Sequence, residues 1–263
     1  MTLGFSVDAL LPKARGGGQL RMGLVKLEER DWLDPRPDLA ARAQGFADWP
    51  EAVQLTPEAD APGRELAAML GVDGALPEAA LAVHEDLCLL TKRADEAVYR
   101  LIGAAVAWPS DWYPAQKIGL PLRALHAPIA GYEEQLATGV DRFMATLRPG
   151  AIYGRCNWFI AATQERRWLA DKPPAEAFAH VTPQNAGETL FVRSERQALR
   201  RLPQTGAILF TIGIYFEPLG RLSPANIAML GKAVQTLVSG EGDRRGAPAY
   251  AGSLIAFAQR RDG

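Results

Sequence analysis

Four arginines crowd the segment Arg193-Ser194-Glu195-Arg196-Gln197-Ala198-Leu199-Arg200-Arg201-Leu202-Pro203, and an apolar run, Ala207 to Ile212, follows almost at once. Read as a helix, the segment puts Arg193, Arg196, Gln197 and Arg200 on one face and Glu195, Leu199 and Leu202 on the other. Guanidinium groups gathered beside an apolar strand suit an anionic group held against an apolar wall. The same pattern also describes a solvated charged face on an amphipathic helix, which is the commoner case for such a composition.

The chain has three histidines, His84, His126 and His180. Pro128 turns Ala127 away from the helical region, so His126 is expected at or just past a helix end. Its neighbours Leu125, Ala127 and Ile129 are apolar. An imidazole presented there suits an axial haem ligand, and equally a cap on the exposed carbonyls of the helix end. His84, followed by Glu85 and Asp86, reads as a structural residue on a partly exposed helix, and His180 as a solvated loop histidine. None of them belongs to a His-x-x-x-His, Cys-x-x-Cys or Glu-x-x-His spacing, so a non-haem zinc or iron site has little support. Trp108, Trp112, Tyr113 and Trp158 lie near the same segments as His126 and Arg155; they suit the wall of a cofactor pocket or an ordinary core. Asn157, in the middle of an apolar strand, must be hydrogen-bonded, so it braces a loop or faces a pocket.

No Gly-x-Ser-x-Gly elbow, Walker loop or Gly-x-Gly-x-x-Gly fingerprint is present. Gly16-Gly17-Gly18 follows no strand and reads as a linker. Flavin or nicotinamide chemistry would therefore come from a partner chain. With 29 Lys and Arg against 30 Asp and Glu, bulk charge gives no reason to expect a nucleic-acid partner. Cys88 and Cys156 sit in apolar surroundings and are expected reduced and buried, which fits a cytoplasmic protein. No signal-peptide or membrane-spanning run is evident, so a soluble chain is expected.

These residues need elements to position them. The pattern predicts a flexible arm over residues 1–20, then a single α+β domain over 21–263. Helices are expected near 38–46, 62–70, 77–90, 132–147 and 223–239, the last with Ser223 as N-cap and Pro224 at its first position. Strands are expected near 21–27, 97–108, 151–160, 189–193 and 207–216, forming an antiparallel sheet wrapped by helices.

Taken in order, several blocks resemble the haem-dependent oxidative N-demethylases, whose haem subunit has a PAS-like fold. They are Arg21-Met22-Gly23-Leu24 with Trp32-Leu33; Glu85-Asp86-Leu87; Trp108-Pro109-Ser110-Asp111-Trp112; Lys117-Ile118-Gly119-Leu120-Pro121-Leu122; Leu125-His126-Ala127-Pro128-Ile129; Arg155-Cys156-Asn157-Trp158; and Arg193 to Ile212. His84 stands where the resemblance leads one to expect glutamine, and Gly213-Ile214 replaces more polar residues. The resemblance implies a PAS-like antiparallel sheet surrounded by helices, haem b as cofactor, and monooxygenase-type oxidation of a dimethylamine-like secondary amine that releases formaldehyde. It further implies electrons from a separate reductase carrying flavin and an iron–sulfur centre. His126 is then the expected iron ligand; from charge chemistry, Lys117, Arg155 and Arg196 are expected as propionate contacts beside Trp158 in the cofactor pocket, and Arg193 and Glu195 as catalytic residues on the substrate side, Glu195 either pairing an arginine or offering its carboxylate to an amine. A non-catalytic haem or small-ligand sensor of the same fold is the alternative.

Overall fold

Among the described residues, seven strands pair antiparallel throughout in the order β1-β5-β6-β7-β3-β4-β2. They are β1 (Val25–Leu27), β2 (Val53–Leu55), β3 (Asp86–Thr91), β4 (Arg100–Ala105), β5 (Ile152–Ala161), β6 (Phe191–Arg201) and β7 (Ile208–Pro218). The computed structural model describes residues 3–14, 21–93, 95–96, 98–129, 131–237, 242 and 246–262. The glycine linker Gly16–Gly18 lies outside them. The fold is thus mixed helix and antiparallel sheet, as the sequence led us to expect.

The arginine-rich segment is a strand, not the helix its spacing allows. β6 is bonded along both edges, to β5 from Ile152↔Arg200 to Ala161↔Phe191 and to β7 from Phe191↔Pro218 to Arg201↔Ile208. A period of two then replaces one of 3.6. Ser194, Arg196, Ala198 and Arg200 go to one face, and Arg193, Glu195, Gln197 and Leu199 to the other. The arginines that a helix would have gathered are therefore separated by the sheet. The β6–β7 turn is held by Glu65, whose carboxylate accepts from the backbone N–H of Gln204 and of Thr205 (2.6 and 2.8 Å).

A second difference lies at 77–90, where one helix was expected. The helix there stops at Leu81, and Asp86–Thr91 is a central strand flanked by β4 and β7. Every residue of that strand but Thr91 is buried. A strand buried on both faces shows no alternation, so its apolar run imitates a buried helix. His84 consequently sits in the connection rather than in a helix and is buried, at 8 % exposure.

Helices close both faces. Behind the sheet lie α1 (Val7–Leu10), α3 (Asp60–Leu70) and α4 (Leu76–Leu81), while α2 (Leu39–Asp48) packs Ala41 and Phe46 against Ala107, Trp108, Ile212 and Ile214. In front are α5 (Pro114–Lys117), α6 (Leu122–His126) and α7 (Thr138–Thr146), the last preceded by a π-turn over Glu133–Ala137. The C-terminal helices α8 (Pro224–Thr236) and α9 (Ala247–Asp262) pack on a further cluster with Val7, Leu11, Ile160 and Val192. Residues 3–14, expected as part of a loose arm, instead bury Leu3, Val7, Leu10 and Leu11 in the core. Ser223 occupies the N-cap position of α8 with Pro224 following, but its hydroxyl donates to Asp8 (3.0 Å) instead of capping the helix. Asp38 does cap α2, accepting from Ala41 N–H at 3.1 Å.

The layers are locked together by Arg42 of α2 and Asp86 of β3, a pair at 2.6 Å with 0 % and 1 % exposure. The guanidinium also donates to the carbonyls of Ala80 and Glu85, while Asp86 accepts from the backbone N–H of Ala107 and Trp108. A buried pair of this kind adds little net stability over an apolar substitute, yet removing one partner strands the other charge. Arg42→Met is therefore expected to cost about 3–5 kcal/mol, read as a lower urea midpoint; a midpoint within error of the parent would refute the lock.

Candidate functional site

Between the front face of the sheet and the 114–146 segment lies a cavity of about 360 Å³. The floor is the set of inward positions that alternation assigns: Cys88 and Leu90 of β3, Arg155 and Asn157 of β5, Glu195, Gln197 and Leu199 of β6, and Phe210, Ile212 and Ile214 of β7. The roof comes from Lys117, Leu125, His126, Tyr132 and the inward side of α7, and the rim from Trp108 to Trp112. The chamber is mostly apolar, with its polar groups concentrated on β5 and β6.

His126 is the last residue of α6, as its proline context predicts. Its Nδ1 lies 2.9 Å from the Leu122 carbonyl oxygen. A carbonyl only accepts, so Nδ1 carries the proton and Nε2 keeps a lone pair. Tyr132 stacks on the ring at 4.4 Å between centroids and 8° between planes, which fixes its orientation. Burial pushes the imidazole below its ordinary value, and the positive charges of Arg155 and Lys117 add to this, so the ring is neutral at pH 7. The Tyr132 hydroxyl is pushed up to about 12, chiefly by burial. The π-turn that follows Tyr132 is a feature often found where a helix is adjusted around a site.

Two cations face the chamber. Lys117 Nζ donates to the Leu125 carbonyl (3.4 Å). Arg155 lines the floor, and among the described residues no carboxylate comes within 4.0 Å of it. Burial lowers its pKa, with Glu195 supplying the nearest opposing field. A guanidinium desolvated without a partner is a strong demand for an anion. Beside it, Glu195 Oε2 accepts from Asn157 Nδ2 (3.0 Å) and Gln197 Nε2 (2.9 Å), so two amides orient one carboxylate. Asn157 Oδ1 is buried without a hydrogen-bond partner among the described residues. Asn157 thus both braces the carboxylate and faces the cavity.

Of the residues singled out from sequence, His126, Lys117, Arg155 and Glu195 share this chamber, whereas Arg193, Arg196 and Trp158 do not line it. Arg193 shares the front face of β6 but is consumed in bracing: it donates to Ser110 Oγ and to the carbonyls of Trp108, Pro109, Glu165 and Arg166. That makes it the post on which the cavity rim stands. Arg196 points behind the sheet, donating to the carbonyls of Trp32 and Asp31 under the Phe5 ring. Trp158 also points behind, against the cluster of α8 and α9. Trp108 and Trp112 do wall the cavity, while Tyr113 is 40 % exposed. Tyr132 and Gln197 were missed as site residues; Gln197 was legible once β6 is read with a period of two, being i+2 from Glu195.

Among the described residues no group of three or more His, Cys, Asp or Glu is placed to hold a metal ion, and no helix is long and apolar enough to cross a membrane. A family model described as haem-dependent oxidative N-demethylase, alpha subunit-like, matches residues 42–245. That span takes in the whole cavity except Met22 and Leu24.

The tuning of His126 has a consequence for stability. Its folded pKa lies below the ordinary 6.5, so the unfolded chain takes up the proton first as pH falls. Stability is intact above about 6.5 and is lost progressively below it. His84, also lowered chiefly by burial, contributes with the same sign. His126→Phe is expected to flatten the acid limb of a stability–pH curve; an unchanged slope would show the imidazole to be unperturbed.

Proposed function

Because the chain belongs to the haem-dependent oxidative N-demethylase, alpha subunit-like, family, we propose that the cavity holds haem b and that the protein demethylates a small secondary amine of the dimethylamine type. The observation that carries this reading is the pairing of a neutral, oriented imidazole with a guanidinium that meets no carboxylate among the described residues, across one apolar chamber. The residues fit the group. His126 offers a Nε2 lone pair of the kind an axial ligand needs, with Nδ1–H fixed on Leu122 to set the tautomer. Arg155 and Lys117 offer cations for the propionates, and Leu90, Leu125, Phe210 and their neighbours offer an apolar bed for the ring. A PAS-like description suits an antiparallel sheet that cradles its ligand on one face. Haem when bound supplies oxygen activation and the oxidising power for the N-methyl carbon.

The chain's own residues handle the amine. A secondary amine is a dialkylammonium at neutral pH, with two N–H donors. Glu195 Oε1 accepts from none of the described residues and Asn157 Oδ1 is an orphan, so the pair offers two acceptors, one charged. Gln197 and Asn157 hold the carboxylate in one orientation, which limits the rearrangement needed when the amine arrives. The aromatic and aliphatic walls, among them Leu90, Leu125, Phe210 and Ile212, offer apolar surface to the methyl groups. The chain carries no nucleotide-binding fingerprint, which supports electron supply from a separate flavin and iron–sulfur reductase.

Purified protein reconstituted with hemin is expected to show a Soret band, shifted or lost in His126→Ala, and Arg155→Met is expected to retain haem about tenfold less tightly, equivalent to one charge-assisted contact. A colourless chain that hemin cannot restore would sink the haem reading. With dimethylamine, oxygen and a competent reductant, Glu195→Gln should keep the Soret band and lower kcat/KM by about 10–100-fold, the worth of a hydrogen bond to a charged group. Haem binding without formaldehyde in the parent would point instead to a non-catalytic sensor.

A further inference from the structure

At the rim of the chamber an aromatic stack leads away from it through the edge of the sheet. Trp108 lines the cavity and is 3 % exposed. His84 lies against it, ring centroids 5.2 Å apart, and stacks on Tyr215 at 5.0 Å and 27°. His84 is pinned between them by the contact of its Nε2 with the Ile214 carbonyl at 3.1 Å. Tyr215 belongs to the rear face of β7, and its hydroxyl donates to Asp34 Oδ2 at 2.9 Å. Asp34 is itself fixed by its backbone N–H donating to Glu85 Oε1 at 2.9 Å. Tyr215 and Asp34 are both only partly buried, so the stack ends near the rear surface.

We propose that Trp108, His84, Tyr215 and Asp34 form a path that carries an oxidising equivalent out of the cavity and parks it on Tyr215. The inference rests on the haem reading above, since it needs a high-potential oxidant in the chamber, namely haem oxidised beyond the ferric state by peroxide, or by oxygen together with two electrons and two protons from the reductant's side. Tryptophan and tyrosine are the aromatic side chains most easily oxidised by one electron. Trp108 gives one electron to the oxidised haem, which drops by one oxidation level, and Tyr215 refills Trp108 across the His84 ring. Tyr215 is left as a neutral phenoxyl radical and its hydroxyl proton passes to Asp34 Oδ2. A small reductant such as ascorbate then restores the electron at the rear surface, and Asp34 returns the proton. The charges set the direction. Guanidinium groups of Arg42 and Arg166 lie 4.7 and 4.6 Å from the centre of the Trp108 ring, which disfavours a cation radical resting there. Tyr215 has a carboxylate acceptor instead. Burial raises its pKa, so the resting residue is a phenol with its proton already directed at Asp34. The path would spare the chamber when the oxidant forms without an amine to consume it.

The test uses the full hemin-reconstituted chain, with the Soret band recorded first and then rapid freezing after hydrogen peroxide is added without amine. Electron paramagnetic resonance is expected to show a tyrosyl signal that Tyr215→Phe removes with the Soret band kept, and that Trp108→Phe lowers at least several-fold per bound haem, the Soret band supplying the haem count. Asp34→Asn should shorten the lifetime of the signal, because the proton has lost its acceptor. A signal of unchanged size in Tyr215→Phe, or no protein radical in a chain that does show the Soret band, overturns the path and leaves the haem reading standing. Absence of the Soret band overturns both.

Discussion

One carboxylate, Asp86, is where the layers of this molecule meet. It begins the central strand, takes the Arg42 guanidinium from α2, and accepts the N–H groups of Ala107 and Trp108 as the chain leaves β4. That last contact sets the direction in which residues 108–112 run, and those residues are the rim of the chamber. Arg193 completes the arrangement from the opposite side, holding the carbonyls of Trp108 and Pro109 while Asp86 holds the amide of Trp108. The rim is therefore set by a buried anion on its donors and a buried cation on its acceptors. Such groups are costly to bury and are retained only where their hydrogen bonds are satisfied, so the scaffold of the site is also its most mutation-sensitive part.

The chamber follows from division of labour across β5 and β6. Front positions carry Arg155, Asn157, Glu195 and Gln197, while rear positions carry Cys156, Trp158, Arg196 and Ala198, each of which serves packing or bracing. Charge is thus sorted by face rather than by segment. Without the sheet between them, Arg155 and Arg196 would compete for the same carboxylates. With it, Arg196 satisfies backbone carbonyls and Arg155 is left for whatever enters the cavity.

Much of this was legible in the sequence. His126 at a helix end, the buried free cysteines, the amphipathic helix before Leu147 and the strands at 151–160 and 207–216 all follow from local pattern. The ordered blocks around Trp108, Lys117, His126 and Arg155 marked residues that the fold brings together. Two features resisted. Asp86–Thr91 is buried on both sides, so it lacked the alternation that distinguishes a strand. Arg193–Leu202 carried charge at spacings that fit a helix, and only its two sheet neighbours decide the matter. Once it is a strand, its roles redistribute: Glu195 keeps a place at the site, Arg193 becomes a support for the rim, and Arg196 leaves for the rear. The stacking of Tyr132 on His126, just ahead of the π-turn, had no local signal in the sequence.

The two-edged pairing of β6 also separates what can change from what cannot. Its rear row, Ser194, Arg196, Ala198 and Arg200, is committed to the core and to the N-terminal segment. Glu195, Gln197 and Leu199 touch the chamber from the same strand without entering that packing. Ligand preference on such a strand is adjustable in steps of two residues, each step leaving the hydrogen-bond ladder and the opposite face as they were. Substitutions at Glu195, Gln197 and Leu199 would thus alter the chamber while leaving the rear packing of β6 in place.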